Sequence, residues 1–208
     1  MPVSIASQYV LHRARATKAP HLPSIGDGWL HEVKFDGYRV QLHKFPNSVS
    51  LYSKGGRNFW RKFPELAVAG LRVRSCVIDG ELTACDINGV PNFRVLHYNS
   101  RDNVRCVWAF DLPYLIGKDL RPLPLLDRKE RLERLVSKVR DPWLCFVETF
   151  TDGPKLLKGA DRMGLERIVS KKASMPYRSG SKCDWMKVKC ASWRERNRER
   201  WPLFEQRQ

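Results

Sequence analysis

The chain has 208 residues, 42% of them hydrophobic, and its 38 Lys and Arg against 22 Asp and Glu give a formal net charge of +16. That length suits one domain with a substantial core, and a folded protein this basic points to a polyanion, nucleic acid above all. No apolar run approaches the ~18 residues of a membrane span, the first residues lack the pattern of a secretory signal, and the six cysteines hold no C-x-x-C pair, which argues against a zinc module and for a reducing, cytoplasmic compartment.

Residues 1–27 are polar and basic, with Pro20, Pro23 and Gly26 near the end, and read as a lead-in arm with little regular structure. Strands are expected over 29–34, 38–45 and 49–53, the first two joined as a hairpin at Phe35-Asp36-Gly37. A helix is expected within 59–70, limited by Pro64 or carrying it in its first turn. Residues 74–85 read as a strand, a bend at Gly80 and a second strand, followed by a turn at Asn88-Gly89. Another strand covers 105–112. Asp127-Arg128-Lys129-Glu130 has the form of a capping box ahead of Leu132, Leu135, Val136 and Val139, which share a helical face. Residues 144–150 read as strand and 155–163 as a short helix. Strands over 166–171 and 185–190 flank a loop rich in Pro, Gly and Ser. In the tail, 191–208, Trp193, Trp201 and Phe204 can share a helical face docked on the body, ending near Trp201 because of Pro202. The alternative is a basic arm with Arg194, Arg196, Arg198 and Arg200 facing phosphate. Many strands and few helices make an α+β fold with largely antiparallel sheets.

The chemistry concentrates around Glu32-Val33-Lys34-Phe35-Asp36-Gly37-Tyr38-Arg39. A lysine fixed at a strand end becomes a nucleophile once its proton is removed. An ordinary lysine, with a pKa near about 10.4, is protonated at neutral pH, so burial and nearby cations are needed to free it. Five further segments follow in order: Ser53-Lys54-Gly55-Gly56, Asp79-Gly80-Glu81-Leu82, Trp108-Ala109-Phe110-Asp111-Leu112, Glu166-Arg167-Ile168-Val169-Ser170-Lys171 and Trp185-Met186-Lys187-Val188-Lys189. Strand alternation puts Lys187 and Lys189 on one face, where two cations suit a phosphate chain.

In that ordered set, over about residues 28–190, the chain resembles the nucleotidyltransferase (adenylation) domain of ATP-dependent DNA ligases, and bacterial end-joining ligases in particular. The resemblance implies a fold of two largely antiparallel sheets with flanking helices, related to the ATP-grasp architecture. It implies an enzyme of DNA repair and recombination, cytoplasmic and nucleoid-associated, acting on nicked double-stranded DNA with ATP and Mg2+ or Mn2+ as cofactors. Lys34 would attack the α-phosphate of ATP, expel pyrophosphate and hold AMP. The AMP would pass to the 5′-phosphate of a nick, and the neighbouring 3′-hydroxyl would then displace it. Glu32 and Phe110 would hold adenine, the first because an ionised carboxylate accepts from the exocyclic amine and the second by stacking. Arg39, Lys54, Lys187 and Lys189 would meet ribose or phosphates. Glu81 and Glu166 would contact ribose or the divalent metal.

Three departures from that pattern carry expectations of their own. Lys54 stands where an arginine is usual and cannot grip phosphate bidentately, with Arg57 available to compensate. Arg167 stands where a glycine is usual, adding bulk beside the pocket that meets either phosphate or solvent. The resemblance also implies a following OB-fold, and the 18 residues after Cys190 are too few for its five strands. The expectation is a minimal ligase, or a fragment of a longer one, that relies on another protein for OB-fold or end-binding function. Two alternatives stay open: an RNA ligase, which shares the chemistry, and a non-enzymatic DNA-binding accessory protein that has lost the first step.

Overall fold

The computed structural model describes residues 13–23, 26, 28–59, 62–63, 71–84, 96, 104–140, 142–180 and 183–196. Most of the expected helix within 59–70, the Asn88-Gly89 turn, residues 1–12 and the tail beyond 196 lie outside the described residues. So do the side chains of Arg194 and Arg196.

Two sheets carry the chain. The first has four strands in the order β1 (Thr17–Lys18), β10 (Trp185–Lys189), β9 (Arg167–Lys172) and β2 (Trp29–Lys34). The second runs β4 (Ser48–Ser53), β3 (Tyr38–Phe45), β5 (Cys76–Ala84) and β6 (Arg105–Leu115), with β7 (Lys118–Asp119) and β8 (Leu144–Phe146) both on the outer side of β6. Neighbours are antiparallel except β1 with β10 and β6 with β8. The expected α+β class and antiparallel character hold. Among the described residues the helices with defined bounds are α1 (Leu125–Val136), α2 (Gly153–Arg162) and α3 (Ala191–Arg196).

The main core fills one face of the larger sheet. Val40, Leu42, Leu51, Ile78, Leu82, Ala109 and Leu112 are buried there with Leu132 and Val136 of α1. A second core, Phe110, Val147, Val169, Tyr177 and Trp185, draws on both sheets. A third holds Ala160 of α2 and Ile168 with Trp193 of α3 packed on it. Trp193 thus docks on the body.

Four local expectations change. β2 and β3 exist over the expected residues but belong to different sheets, so Phe35-Asp36-Gly37 is a crossing and no hairpin. Residues 74–84 hold one strand, β5, whose register with β6 shifts around Asp79 and Gly80. A bulge accommodates the irregularity without ending the strand. Helix α1 starts two residues before Asp127, with Pro124 at the N-cap and no side-chain cap. Asp127 therefore lies in the first turn, where its charge suits the helix dipole, and Arg128 and Lys129 fall on the inward stripe with Leu125 and Leu132. The described residues of the lead-in arm join the first sheet at its edge. Thr17 and Lys18 pair with Met186 and Lys187, and Ala14 bridges Gly180. A two-residue edge strand carries too short a pattern to be read from alternation.

The crossing needs its glycine. A β-carbon on Gly37 would sit 2.1 Å from the carbonyl oxygen of Leu82, a backbone atom that cannot move aside. Gly37→Ala is expected to destabilise the protein by about 3 kcal/mol, the upper range for overpacking. Urea unfolding should show a lower midpoint with an unchanged slope.

Candidate active site

Lys34 is the last residue of β2, directly beside the crossing. Phe35, the next residue, stacks on Trp108 with ring centres 4.1 Å apart and planes 13° from parallel. The indole N–H of Trp108 donates to Thr83 Oγ1 at 3.0 Å. The crossing is thereby fixed to β5 and β6, and Lys34 is held at the junction, its Nζ donating to the Phe35 carbonyl at 3.3 Å.

A cavity of about 730 Å3 opens between the sheets. Alternation explains its wall: Glu32 and Lys34 from β2, Val169 and Lys171 from β9, and Trp185 and Lys187 from β10 face the same side. Arg39 of β3, Lys54 of the turn after β4, Glu81 of β5 and Phe110 of β6 close it from the other sheet. Residues 13–18 form a further wall, bringing Arg13, Arg15 and Lys18. Eight cationic side chains thus line the cavity against two carboxylates, Glu32 and Glu81. Burial and then the charges of Arg167, Lys34, Lys18 and Lys54 push the Lys187 ammonium below its ordinary value. An anionic ligand would relieve that repulsion.

Seven of the nine side chains singled out from sequence meet in this cavity: Glu32, Lys34, Arg39, Lys54, Glu81, Phe110 and Lys187. Lys189 and Glu166 are engaged elsewhere. Lys189 Nζ lies 4.2 Å over the ring of Trp193. Alternation places Lys189 with Lys187, but α3 begins two residues later and brings Trp193 under it. Glu166 pairs with Arg167, whose Nε donates to it at 2.6 Å. Arg167 itself lies across from Lys34 in the β2–β9 register and 5.9 Å over Trp193. The bulk at the usual glycine position is thus turned toward α3. Arg57 is exposed, and its backbone N–H caps Ser53 Oγ at 3.0 Å.

The polar partners are specific. Glu32, 3% exposed, lies between two ammonium groups, Lys129 at 3.0 Å and Lys171 at 2.5 Å. Burial alone would raise its carboxyl; the two charges outweigh that and hold it below the usual carboxylate range. Arg39 forks onto Asp79, Nε to Oδ1 at 2.7 Å and Nη2 to Oδ2 at 2.5 Å, and its guanidinium lies 4.3 Å over Phe110. Tyr177 donates to the same Asp79 oxygen at 2.7 Å. Burial lifts the Glu81 carboxyl above its ordinary value, and Lys34 and Arg39 offset this only in part.

Sequence reading passed over several of these groups. Lys129 and Arg128 were hidden in an apparent helix cap. Arg128 is fully buried and forks onto Asp111 at 2.7 and 3.0 Å. Asp79 and Lys171 sat inside quoted segments without a role. Arg13, Arg15 and Lys18 were assigned to an arm. The available signal was the helical stripe 125, 128, 129, 132, 136, whose cations are buried with its leucines.

Glu32 and Asp79 share one titration behaviour. Burial raises the Asp79 carboxyl, and the Arg39 charge and hydrogen bond, the Tyr177 hydrogen bond and the Arg13 charge bring it below its ordinary value. A carboxyl depressed in the folded state stabilises above the unfolded value, about pH 4, and loses that contribution as pH falls through the folded value. The urea midpoint should therefore decline from about pH 5 downward. Asp79→Asn should lower stability at neutral pH by about 3 kcal/mol and make the acid decline shallower.

Comparison with known proteins gives this geometry a family. Residues 13–189 match the family described as "ATP dependent DNA ligase domain". The chain is 35% identical over 184 residues to the multifunctional non-homologous end joining protein LigD of Pseudomonas aeruginosa, covering 83% of this chain and 22% of that protein. It is 33% identical over 174 residues to the SPbeta prophage-derived DNA ligase-like protein LigB of Bacillus subtilis, covering 80% of this chain and 63% of that one. The solved structure of mycobacterial DNA ligase D complexed with ATP and MES superposes with a TM-score of 0.77 at 30% identity, over 86% of this chain and 60% of that one. The chain thus spans about a fifth of the length of the LigD protein it matches. A match over most of its length, with the cationic cavity inside the matched span, places the chain in the ATP-dependent DNA ligase domain family.

Proposed function

We propose that this protein is an ATP-dependent DNA ligase acting through an AMP adduct on Lys34. The observation that supports it most directly is the convergence of seven dispersed side chains, Lys34 among them, on one cavity of strongly positive character. A cavity of about 730 Å3 is of the size that takes a small molecule, and its cations suit a triphosphate.

The Lys34 nitrogen attacks the α-phosphorus of ATP, forming an N–P bond as the bond to the bridging oxygen breaks and pyrophosphate leaves. The 5′-phosphate of a nick then attacks the same phosphorus, releasing Lys34 and forming an adenylated end. The 3′-hydroxyl displaces AMP and closes the strand. Lys187, Lys54 and Lys18 neutralise charge building on the phosphate oxygens, the kind of fixed electrostatic help that lowers such barriers. Phe110 and Trp185 supply the aromatic wall for the base, Glu32 the acceptor for its amino group, and Arg39 a contact to ribose or phosphate. Lys189 would join them only by leaving Trp193.

The divalent cation implied by the family fits Glu81. Its carboxyl faces the cavity, and burial leaves its charged form short of compensation. Glu166 fits only if its pairing with Arg167 opens. Among the described residues no group of three or more His, Cys, Asp or Glu forms a cage, which agrees with a magnesium ion held by few carboxylates, with phosphate and water completing its shell. When bound, the cation would screen phosphate charge.

Nicked duplex DNA is the proposed partner, in keeping with the net charge of +16 and with the names of the LigD relatives. No helix among the described residues is long and apolar enough to cross a membrane, and the proposed site of action is the cytoplasmic nucleoid.

Incubation with α-labelled ATP and magnesium should label the protein, and Lys34→Ala should abolish the label. Label retained by that variant would remove Lys34 from the mechanism. Sealing of a plain nick by the wild type distinguishes the DNA ligase from its rivals. Sealing confined to RNA-containing nicks identifies an RNA ligase, and binding without any sealing identifies an accessory protein. DNA affinity should fall steeply as salt rises, by counterion release.

A further inference from the structure

Lys129 takes no part in the steps above, yet it sits on the inward face of α1 with only 3% exposure. Its Nζ donates to the Val147 carbonyl at 2.6 Å, lies 3.0 Å from Glu32 Oε1 and rests 4.2 Å over the Phe146 ring. The other oxygen of the same carboxylate is 2.5 Å from Nζ of Lys171, itself 2% exposed. One ammonium group would neutralise one carboxylate. Two leave a surplus positive charge where water hardly reaches, and such a charge is costly unless it has a use.

The two lysines are placed differently. Lys129 is held by Val147 and Glu32 and does not line the cavity. Lys171 does line it, 4.6 Å from the ring centre of Phe110 and 4.2 Å from that of Trp185. Its buried Nζ has the Glu32 carboxylate as its ion-pair partner. It stands in the cavity wall beside the carboxylate, a donor next to the space where a base would lie.

We propose that Lys129 is a positioning residue for base selection: by holding Glu32 charged and fixed from behind, it leaves Glu32 and Lys171 as an acceptor–donor pair that reads the amino group and N1 of adenine. The inference rests on the reading that the cavity takes ATP. Adenine presents an N–H donor beside the N1 acceptor. Hypoxanthine presents a carbonyl acceptor beside an N1–H donor. An ionised carboxylate only accepts, so it favours the first edge and repels the second. With Lys129 gone, Glu32 would depend on Lys171 alone. Whenever Lys171 turned to the base, the buried carboxylate would have no cation and would take up a proton. A protonated Glu32 donates, and the preference for adenine over a 6-oxo purine would collapse.

Binding of ATP and of ITP to the full chain, followed by tryptophan fluorescence quenching, tests this without requiring turnover. The wild type should bind ATP at least about tenfold more tightly than ITP. Lys129→Met should bring that ratio below about threefold. In this variant ATP binding should also weaken as pH falls and Glu32 takes up a proton, a dependence the wild type lacks. Lys129→Arg should restore both. If Lys129→Met does not fold, Lys129→Gln keeps a donor for Val147 without the charge and should show the same two changes. A wild-type ratio near one overturns the proposal. So does an unchanged ratio in a folded variant, or a lost ratio with no new pH dependence. Selective binding of ATP without labelling of Lys34 would count against the ligase reading alone. Labelling of Lys34 without base selectivity would count against the role of Lys129 alone.

Discussion

The cavity exists because the chain leaves one sheet and enters the other within three residues. Phe35, Asp36 and Gly37 make that passage, with Phe35 stacked on Trp108 and the Gly37 backbone pressed against the Leu82 carbonyl. A side chain at residue 37 would push the strands apart. The short passage keeps Lys34, at the end of β2, and Arg39, near the start of β3, on the borders of one space. Every other lining residue is positioned relative to those two strands. Glu81 lies opposite Arg39 in the β3–β5 register, and Lys187 opposite Val169 in the β10–β9 register.

Two kinds of interior result. The apolar face of the larger sheet, closed by α1, is an ordinary core whose burial drives folding. Between the sheets the interior is charged: Arg128 with Asp111, Arg39 with Asp79 and Tyr177, and Glu32 with Lys129 and Lys171. Such pairs contribute little net stability, because desolvation offsets their attraction. Their effect is to fix the side chains that border the cavity. A preorganised polar wall does not have to reorient around a charged phosphate, as water would. Helix α1 belongs to both interiors. Its leucines enter the core, while its buried Lys129 pairs with Glu32 in the cavity wall and its buried Arg128 with Asp111.

Much of this was legible in the residues. Alternation located β2, β3, β6, β9 and β10 closely. Partners were not legible. A short turn between two strands ordinarily makes a hairpin, and nothing local in Phe35-Asp36-Gly37 distinguishes a hairpin from a crossing. Buried cations escaped notice for a related reason. Lysine and arginine are rarely buried without a partner, and the partners of Arg128 and Lys129 lie 17 and 97 positions upstream. Lys189 shows the opposite failure, where a correct face assignment was overridden by a tryptophan from the next helix.

By itself the sequence determined the element types, the antiparallel α+β character and the set of residue types able to handle a phosphate chain. These follow from periods of two and of 3.6 residues and from side-chain chemistry, which are properties of short segments. Tertiary structure decided which strands share a sheet, that residues 13–18 form a wall of the site, and that Glu32 is held between two buried lysines. Those outcomes depend on distance in space between residues far apart in the chain. Burial, and with it the energetic weight of each charge, is set by the packing around a side chain and not by its neighbours in sequence.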